Sequence, residues 1–172
     1  LVRTQDDFGT RGEPPTHPEL LDWLAATFVE QGWSFKKMHR LIMLSSVYMQ
    51  SSDDDPRKLQ VDPDNKLLWQ MNRRRLDFEG LRDTILAIGG KLDLAVGGPS
   101  VNLAAEPYPT RRTIYGYVDR ARLPGMMQAF DFASPDLTTG KRSDTIVPQQ
   151  ALFMMNGALV VEQARNLAQR PD

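Results

Sequence analysis

Arginine supplies most of the chemistry that this sequence offers. Arg73, Arg74 and Arg75 run directly into Glu79, Arg82 and Asp83. On a helix, Arg75, Glu79, Arg82 and Asp83 fall three and four residues apart and share one face as an ion-pair ladder. Guanidinium forks match carboxylate, phosphate and sulfate geometry, so one reading is an anion site. The other is a salt-bridge network that pins the helix to a neighbouring loop, and a carboxylate near each arginine favours it. Arg111, Arg112, Arg120 and Arg122 form a second basic group among Tyr108, Tyr115 and Tyr117. Cations beside aromatic rings hold sugars or single-stranded nucleic acid. Asp119, the overall acid balance and the lack of a nucleic-acid-binding motif argue against nucleic acid. The anion-binding candidates are therefore Arg74, Arg75, Arg82, Arg112 and Arg120.

Two residues are candidates for acid–base catalysis. His17 lies between Thr16 and Pro18 at a helix start, where the local dipole favours a neutral imidazole that can donate, accept or ligate. The structural alternative, a first-turn residue bonded to the adjacent loop, is the favoured one. Asp131 and Asp136 frame Phe132-Ala133-Ser134-Pro135. Carboxylates so placed suit calcium or an acid–base pair, but the few oxygen ligands nearby favour turn and capping roles. His39, flanked by Lys36, Lys37 and Arg40, reads as a surface residue. Asp53–Asp55 lacks the glycine and terminal glutamate of a calcium loop. Gly97-Gly98-Pro99-Ser100 lacks the Lys-Ser/Thr of a phosphate-binding loop, and no nucleophile elbow or dinucleotide fingerprint occurs. Met126-Met127 and Met154-Met155 read as core filling.

Composition narrows the classes further. The chain has 172 residues, no cysteine, two histidines, 21 basic against 22 acidic side chains and a net charge of −1. Without cysteine there is no disulfide framework, thiolate zinc site, cysteine nucleophile or attached c-type haem. Two histidines are poor material for a metal centre, so neither metal nor cofactor is expected in this segment. The charge total disfavours bulk electrostatic binding to nucleic acid or anionic membranes. No apolar run reaches membrane-spanning length. The start at Leu1 without methionine, and the stop just after an apparent helix, suggest a piece of a longer protein.

These side chains need elements to position them. Residues 1–15, with Gly9, Gly12, Pro14 and Pro15, read as an irregular arm. Residues 16–92 read as a four-helix segment. Thr16 and Glu19 have capping-box spacing ahead of Leu20, Leu21, Leu24 and Phe28, with Gly32 as the stop. Ser34 caps a second helix with Trp33 as a hydrophobic staple, and a short connection implies an antiparallel or steeply crossed pair. Gln50–Asp62 reads as a solvated loop, and Asp62-Pro63 opens a third helix. The fourth helix covers 76–89 with Leu76, Ile85 and Ile88 inward. Residues 93–147 are loop-rich, with a short strand expected at 112–118 and a helical turn at 125–130. Pro148 begins one final helix, 148–169. The expected fold is mainly α: a single helical domain, or the C-terminal part of a larger one, with long irregular loops and at most a short strand or hairpin.

Residues 12–52, 62–93, 97–101 (GGPSV), 111–120 (RRTIYGYVDR), 130–136 (FDFASPD) and 145–170 carry a resemblance in order along nearly the whole chain. The sequence resembles the planctomycete-type C-terminal domain of unknown function, PSD type, of large exported proteins that also hold a cytochrome-c-like domain. His17, Arg74, Arg75, Arg82, Asp83, Arg112, Asp131 and Gln150 match positions in that family's motifs. The resemblance implies an extracytoplasmic setting, periplasmic or at the cell surface. It also implies a haem in another domain of the parent chain, and the preceding domains as partners. It implies no reaction. The functional expectation is a non-catalytic interaction or scaffold module that meets an anionic partner such as an acidic polysaccharide. The alternatives are a fragment of a carbohydrate-active hydrolase using His17 or Asp131, and a docking module for an electron-transfer, cytochrome-c-like domain.

Overall fold

Side-chain caps open three of the helices, and proline stands in the first turn of three. The computed structural model describes residues 1–7 and 9–170. Its elements are α1 (Pro18–Glu30), α2 (Phe35–Met43), α3 (Pro56–Val61), α4 (Phe78–Ile88), a single 3-10 turn (Thr113–Tyr115), α5 (Gly125–Ala129), α6 (Pro148–Asn156) and α7 (Ala158–Ala168). The fold is mainly α. Backbone contacts divide the chain into two units, Leu1–Arg74 and Arg75–Asp172.

In the first unit the arm folds back on the start of α1. Thr16 donates its amide and its hydroxyl to the Leu1 carbonyl, and Glu13 N donates to Thr4 Oγ1 at 2.8 Å. Residue 8 of the arm lies outside the described residues. The capping box expected from Thr16 and Glu19 does not form. His17 is the cap residue and makes no side-chain capping bond, because the Thr16 hydroxyl instead meets Leu1 O and His17 Nδ1 at 2.9 Å. Gly32 and Trp33 then take the left-handed conformation, at φ 74° and 59°, and turn the chain into α2. Ser34 caps α2 as expected, accepting from Lys37 N at 3.4 Å. α1 and α2 pack on each other, and Phe28 holds Trp33 and Phe35 at ring separations of 5.3 and 5.2 Å.

The third helix lies one Asp-Pro pair earlier than expected. Asp55 accepts from Arg57 N and Lys58 N, and Pro56 occupies the first turn, so α3 falls inside the stretch read as a loop. Asp62-Pro63 opens no helix. The buried Asp62 carboxylate accepts from Lys66 N and Leu67 N at 3.0 and 2.7 Å. Asn65 Oδ1 accepts from Trp69 N at 2.8 Å. These side chains bind the backbone as loop anchors, which competes with helix formation.

In the second unit, Asp77 caps α4 by accepting from Gly80 N at 2.7 Å. The buried line is Phe78, Arg82 and Leu86, spaced by four residues, rather than Leu76, Ile85 and Ile88. Leu76 precedes the cap and is exposed, as is Ile88. α4 packs against α7 and the 3-10 turn. Arg170 closes its C-terminal end by donating to Ile88 O at 2.9 Å. Phe78, Leu103 and Met127 form the core cluster, with Val101, Leu123, Met126, Phe130 and Phe132 against it.

Between α4 and α5 the backbone forms no strand among the described residues. The segment expected as a strand at 112–118 is the 3-10 turn flanked by isolated parallel bridges, Asp93 to Arg111 before it and Val101 to Gly116 after it. A lone extended segment has no ladder to join.

The single final helix expected over 148–169 is two helices broken at Gly157, which adopts φ −61° and ψ 127°. Gly157 N donates to Phe153 O at 2.7 Å, and a Cβ there would stand 2.6 Å from that oxygen and 2.9 Å from the Phe153 ring. Close approach, rather than helix propensity, therefore selects glycine. Gly157→Ala should destabilise the chain by about 1–3 kcal/mol, as overpacking does. Urea unfolding reads the sign; a gain of about 1 kcal/mol, the propensity effect alone, would refute the packing explanation.

Candidate functional site

Arg82 stands in the apolar line of α4 and is only 2% exposed. A buried guanidinium needs partners to offset its lost hydration. It finds them on the irregular segment. Nη1 donates to Arg111 O at 3.0 Å and to Thr113 Oγ1 at 3.2 Å, and Nη2 donates to Pro109 O. Nε is buried with no partner among the described residues. Burial pushes the Arg82 pKa down from its ordinary value, and the neighbouring Asp83 charge opposes that. Thr113 relays the contact onward. Its hydroxyl and its amide both donate to Asp83 Oδ1 at 2.7 Å, while Arg112 Nε reaches Asp83 Oδ2 at 3.3 Å.

The expected ladder along α4 does not form. Glu79 turns to Arg142, which grips it with two bonds of 2.7 and 2.8 Å and lies over the Phe132 ring at 4.9 Å. The hydrogen bond to Glu79 holds the Arg142 pKa above its ordinary value, against a smaller effect of burial. Asp83 serves the 3-10 turn. Partners distant in sequence win because they close loops that local ones cannot reach.

Arg75 and Asp131 meet at one residue. Arg75 Nη1 donates to Thr145 O at 2.8 Å and to Gln150 Oε1 at 2.6 Å. The buried Gln150 donates to Ala129 O at 2.8 Å and to Thr145 O at 3.0 Å. Asp131, at φ 55°, accepts from Thr145 N at 2.7 Å and from Thr145 Oγ1 at 2.8 Å. This latch closes the loop that joins α5 to α6.

Arg111 is not among the anion-binding candidates, yet it organises the glycine-rich loop. Its guanidinium donates to Pro99 O at 2.9 Å and to Gly97 O, and stacks on Tyr115 with 4.1 Å to the ring centroid. Tyr115 Oη accepts from Gly97 N at 3.1 Å. The spacing of Arg111 and Tyr115 carries the signal for this contact, but reading it as a ligand platform points the pair outward.

The other candidates lie as follows. Arg120 is exposed and faces Asp136 at 3.7 Å. With Asp131, Asp136 and Arg142 it lines a cleft of about 500 Å³. A second cleft of about 440 Å³ has Asp77, Glu79, Asp83 and Arg112 around Leu103 and Met127. His17 and Arg74 belong to the first unit; Arg74 is exposed, and His17 bonds to Thr16. His39 is exposed, on α2. Among the described residues, no three histidine or carboxylate side chains gather as a metal site, and no helix is long and apolar enough to cross a membrane.

A family model described as a protein of unknown function (DUF1553) matches residues 1–172. The chain belongs to this PSD1 family. No curated protein and no solved structure matches it. In this PSD1 chain the side-chain geometry is thus the direct guide to what the arginines do. Arg82→Met should lower stability by about 2–4 kcal/mol, because it strands the Pro109 and Arg111 carbonyls that the fork serves. Arg82→Lys should not rescue it, since an ammonium lacks the planar fork. Denaturant unfolding checks both; wild-type stability in either variant would refute the role.

Proposed function

We propose that the chain is a non-catalytic interaction or scaffold module of a multidomain exported protein. One observation carries this reading: the forks of Arg75, Arg82, Arg111 and Arg142 are engaged by acceptors of the chain itself. They build loops rather than a substrate site. Arg112 and Arg120 differ, with side chains 51% and 76% exposed at the two clefts. They, and separately the exposed Arg74 of the first unit, are side chains suited to an anionic partner such as an acidic polysaccharide. The extracytoplasmic setting, the neighbouring domains and a haem in one of them enter this reading as implications of the family resemblance.

A carbohydrate hydrolase is the second reading, favoured by Asp131 and Asp136 lining one cleft. Against it, the Asp131 carboxylate already serves Thr145. Binding to a sulfated polysaccharide should weaken steeply between low and physiological salt, as exposed charges are screened over about 8–10 Å. Arg112→Ala with Arg120→Ala should weaken it several-fold. Absent or salt-insensitive binding would sink the anionic-partner reading. Glycan cleavage abolished by Asp131→Asn, with the fold intact, would establish the hydrolase instead.

A further inference from the structure

The first unit presents a surface that its own packing does not explain. No side chain of α1, α2 or α3 is buried. From the hairpin turn through α2 to residue 49, Trp33 is exposed by 66%, Phe35 by 70%, Leu44 by 61% and Met49 by 64%. Ile42, Met43, Val47 and Tyr48 are exposed with them. Apolar exposure gathered along one short segment in this way points to an interaction surface.

Charge is arranged around it. From Gln31 to Ser52 the sequence has no Asp or Glu, while Lys36, Lys37 and Arg40 supply positive charge beside His39. On α2 the exposed arc mixes Phe35, Lys36, His39, Arg40, Ile42 and Met43, leaving Met38 and Leu41 half-covered. The carboxylates of the partner helix are Glu19, Asp22 and Glu30. Glu19 and Asp22 lie at least two helical turns from the hairpin turn. Glu30 alone lies close to it, and Lys37 reaches over the turn to donate to Gln31 O at 3.3 Å.

The turn also holds a costly residue. Trp33 sits at φ 59°, in a region that bulky side chains rarely occupy. Its amide donates to Phe28 O at 2.9 Å and its ring leans edge-on to Phe28, so the indole is braced while most of it faces outward. A braced aromatic tip, aliphatic neighbours and cations that form no ion pair among the described residues together describe an interfacial anchor.

We propose that the α1–α2 hairpin docks on the surface of an anionic lipid bilayer, with Trp33 and Phe35 entering the headgroup region and Lys36, Lys37 and Arg40 meeting lipid phosphates. A bilayer is favoured over a polysaccharide because the aliphatic side chains need hydrocarbon to cover them. An acidic protein is the other occupant that this charge would suit, and the vesicle test below separates the two. The net charge of −1 weakens long-range attraction but leaves this local excess in place. The inference concerns the first unit alone and does not draw on the reading of Arg112 and Arg120.

The test is flotation of the 172-residue chain with vesicles of phosphatidylcholine alone or with about one-third phosphatidylglycerol, the anionic surface that attracts polybasic segments. Binding is expected on the anionic vesicles, with tryptophan quenching by brominated lipid. Trp33→Gly, which removes the indole at a backbone angle glycine accepts readily, and Phe35→Ser should each cut binding about tenfold with unchanged circular dichroism. Lys36→Glu with Lys37→Glu should abolish it, whereas Arg112→Ala with Arg120→Ala should leave it intact. No flotation with anionic vesicles, equal flotation with both vesicle types, or binding indifferent to the hairpin variants would overturn the proposal. Capture of an acidic protein by a hairpin that ignores vesicles would do so as well.

Discussion

The second unit depends on a positive charge kept inside it. Arg82 sits between Phe78 and Leu86 on the buried line of α4, where a leucine would satisfy the hydrophobic pattern. Its fork instead collects the Pro109 and Arg111 carbonyls and the Thr113 hydroxyl. The segment it gathers has no ladder of its own, only single bridges. Backbone that forms neither helix nor sheet still requires partners for its polar groups once covered. A guanidinium, with five donors in a plane, supplies several at once. Asp83 and Thr113 complete the clamp beside the same turn of α4, so one helix face organises the irregular half of the unit.

That arrangement bears on which arginines meet anything outside. Arg75, Arg111 and Arg142 repeat the device at other joints: the α5–α6 loop, the glycine-rich loop and the α4 face. A fork occupied by carbonyls or a bidentate carboxylate has few donors left. Arg112 and Arg120 hold longer, more exposed contacts and remain addressable. Arginine therefore plays two parts: the forks of Arg75, Arg82, Arg111 and Arg142 tie loops internally, while Arg112, Arg120 and others such as Arg40 and Arg74 face outward.

Helix identity was largely legible, because α1, α2, α4 and α5 announce themselves by Pro, Ser, Gly and apolar periodicity. Where reading by pattern failed, two sites shared one local signature. Asp55-Pro56 and Asp62-Pro63 carry the same helix-start dipeptide, and only the buried contacts of Asp62 reveal that the second anchors a loop. Likewise, spacing on α4 permitted a ladder that longer-range partners dismantled. By pattern Gly157 is compatible with a continuous helix, but the Phe153 ring fills the space beside it. The meeting of Arg75 with Thr145, 70 positions away, had no local trace.

The latch of Asp131, Thr145 and Gln150 has a further consequence. The two mouths of the loop between α5 and α6 are tied to each other, by Thr145 bonding Asp131 and by Arg142 lying over Phe132. Its middle, from Ser134 to Lys141, is exposed apart from Pro135. Because a loop's closure entropy grows only slowly with length, the clamped mouths separate the core from whatever the middle contains. Beyond the Asp136 contact with Arg120, the fold thus has a short stretch that can be lengthened, a cassette in which new recognition can arise without renegotiating the helices that carry it.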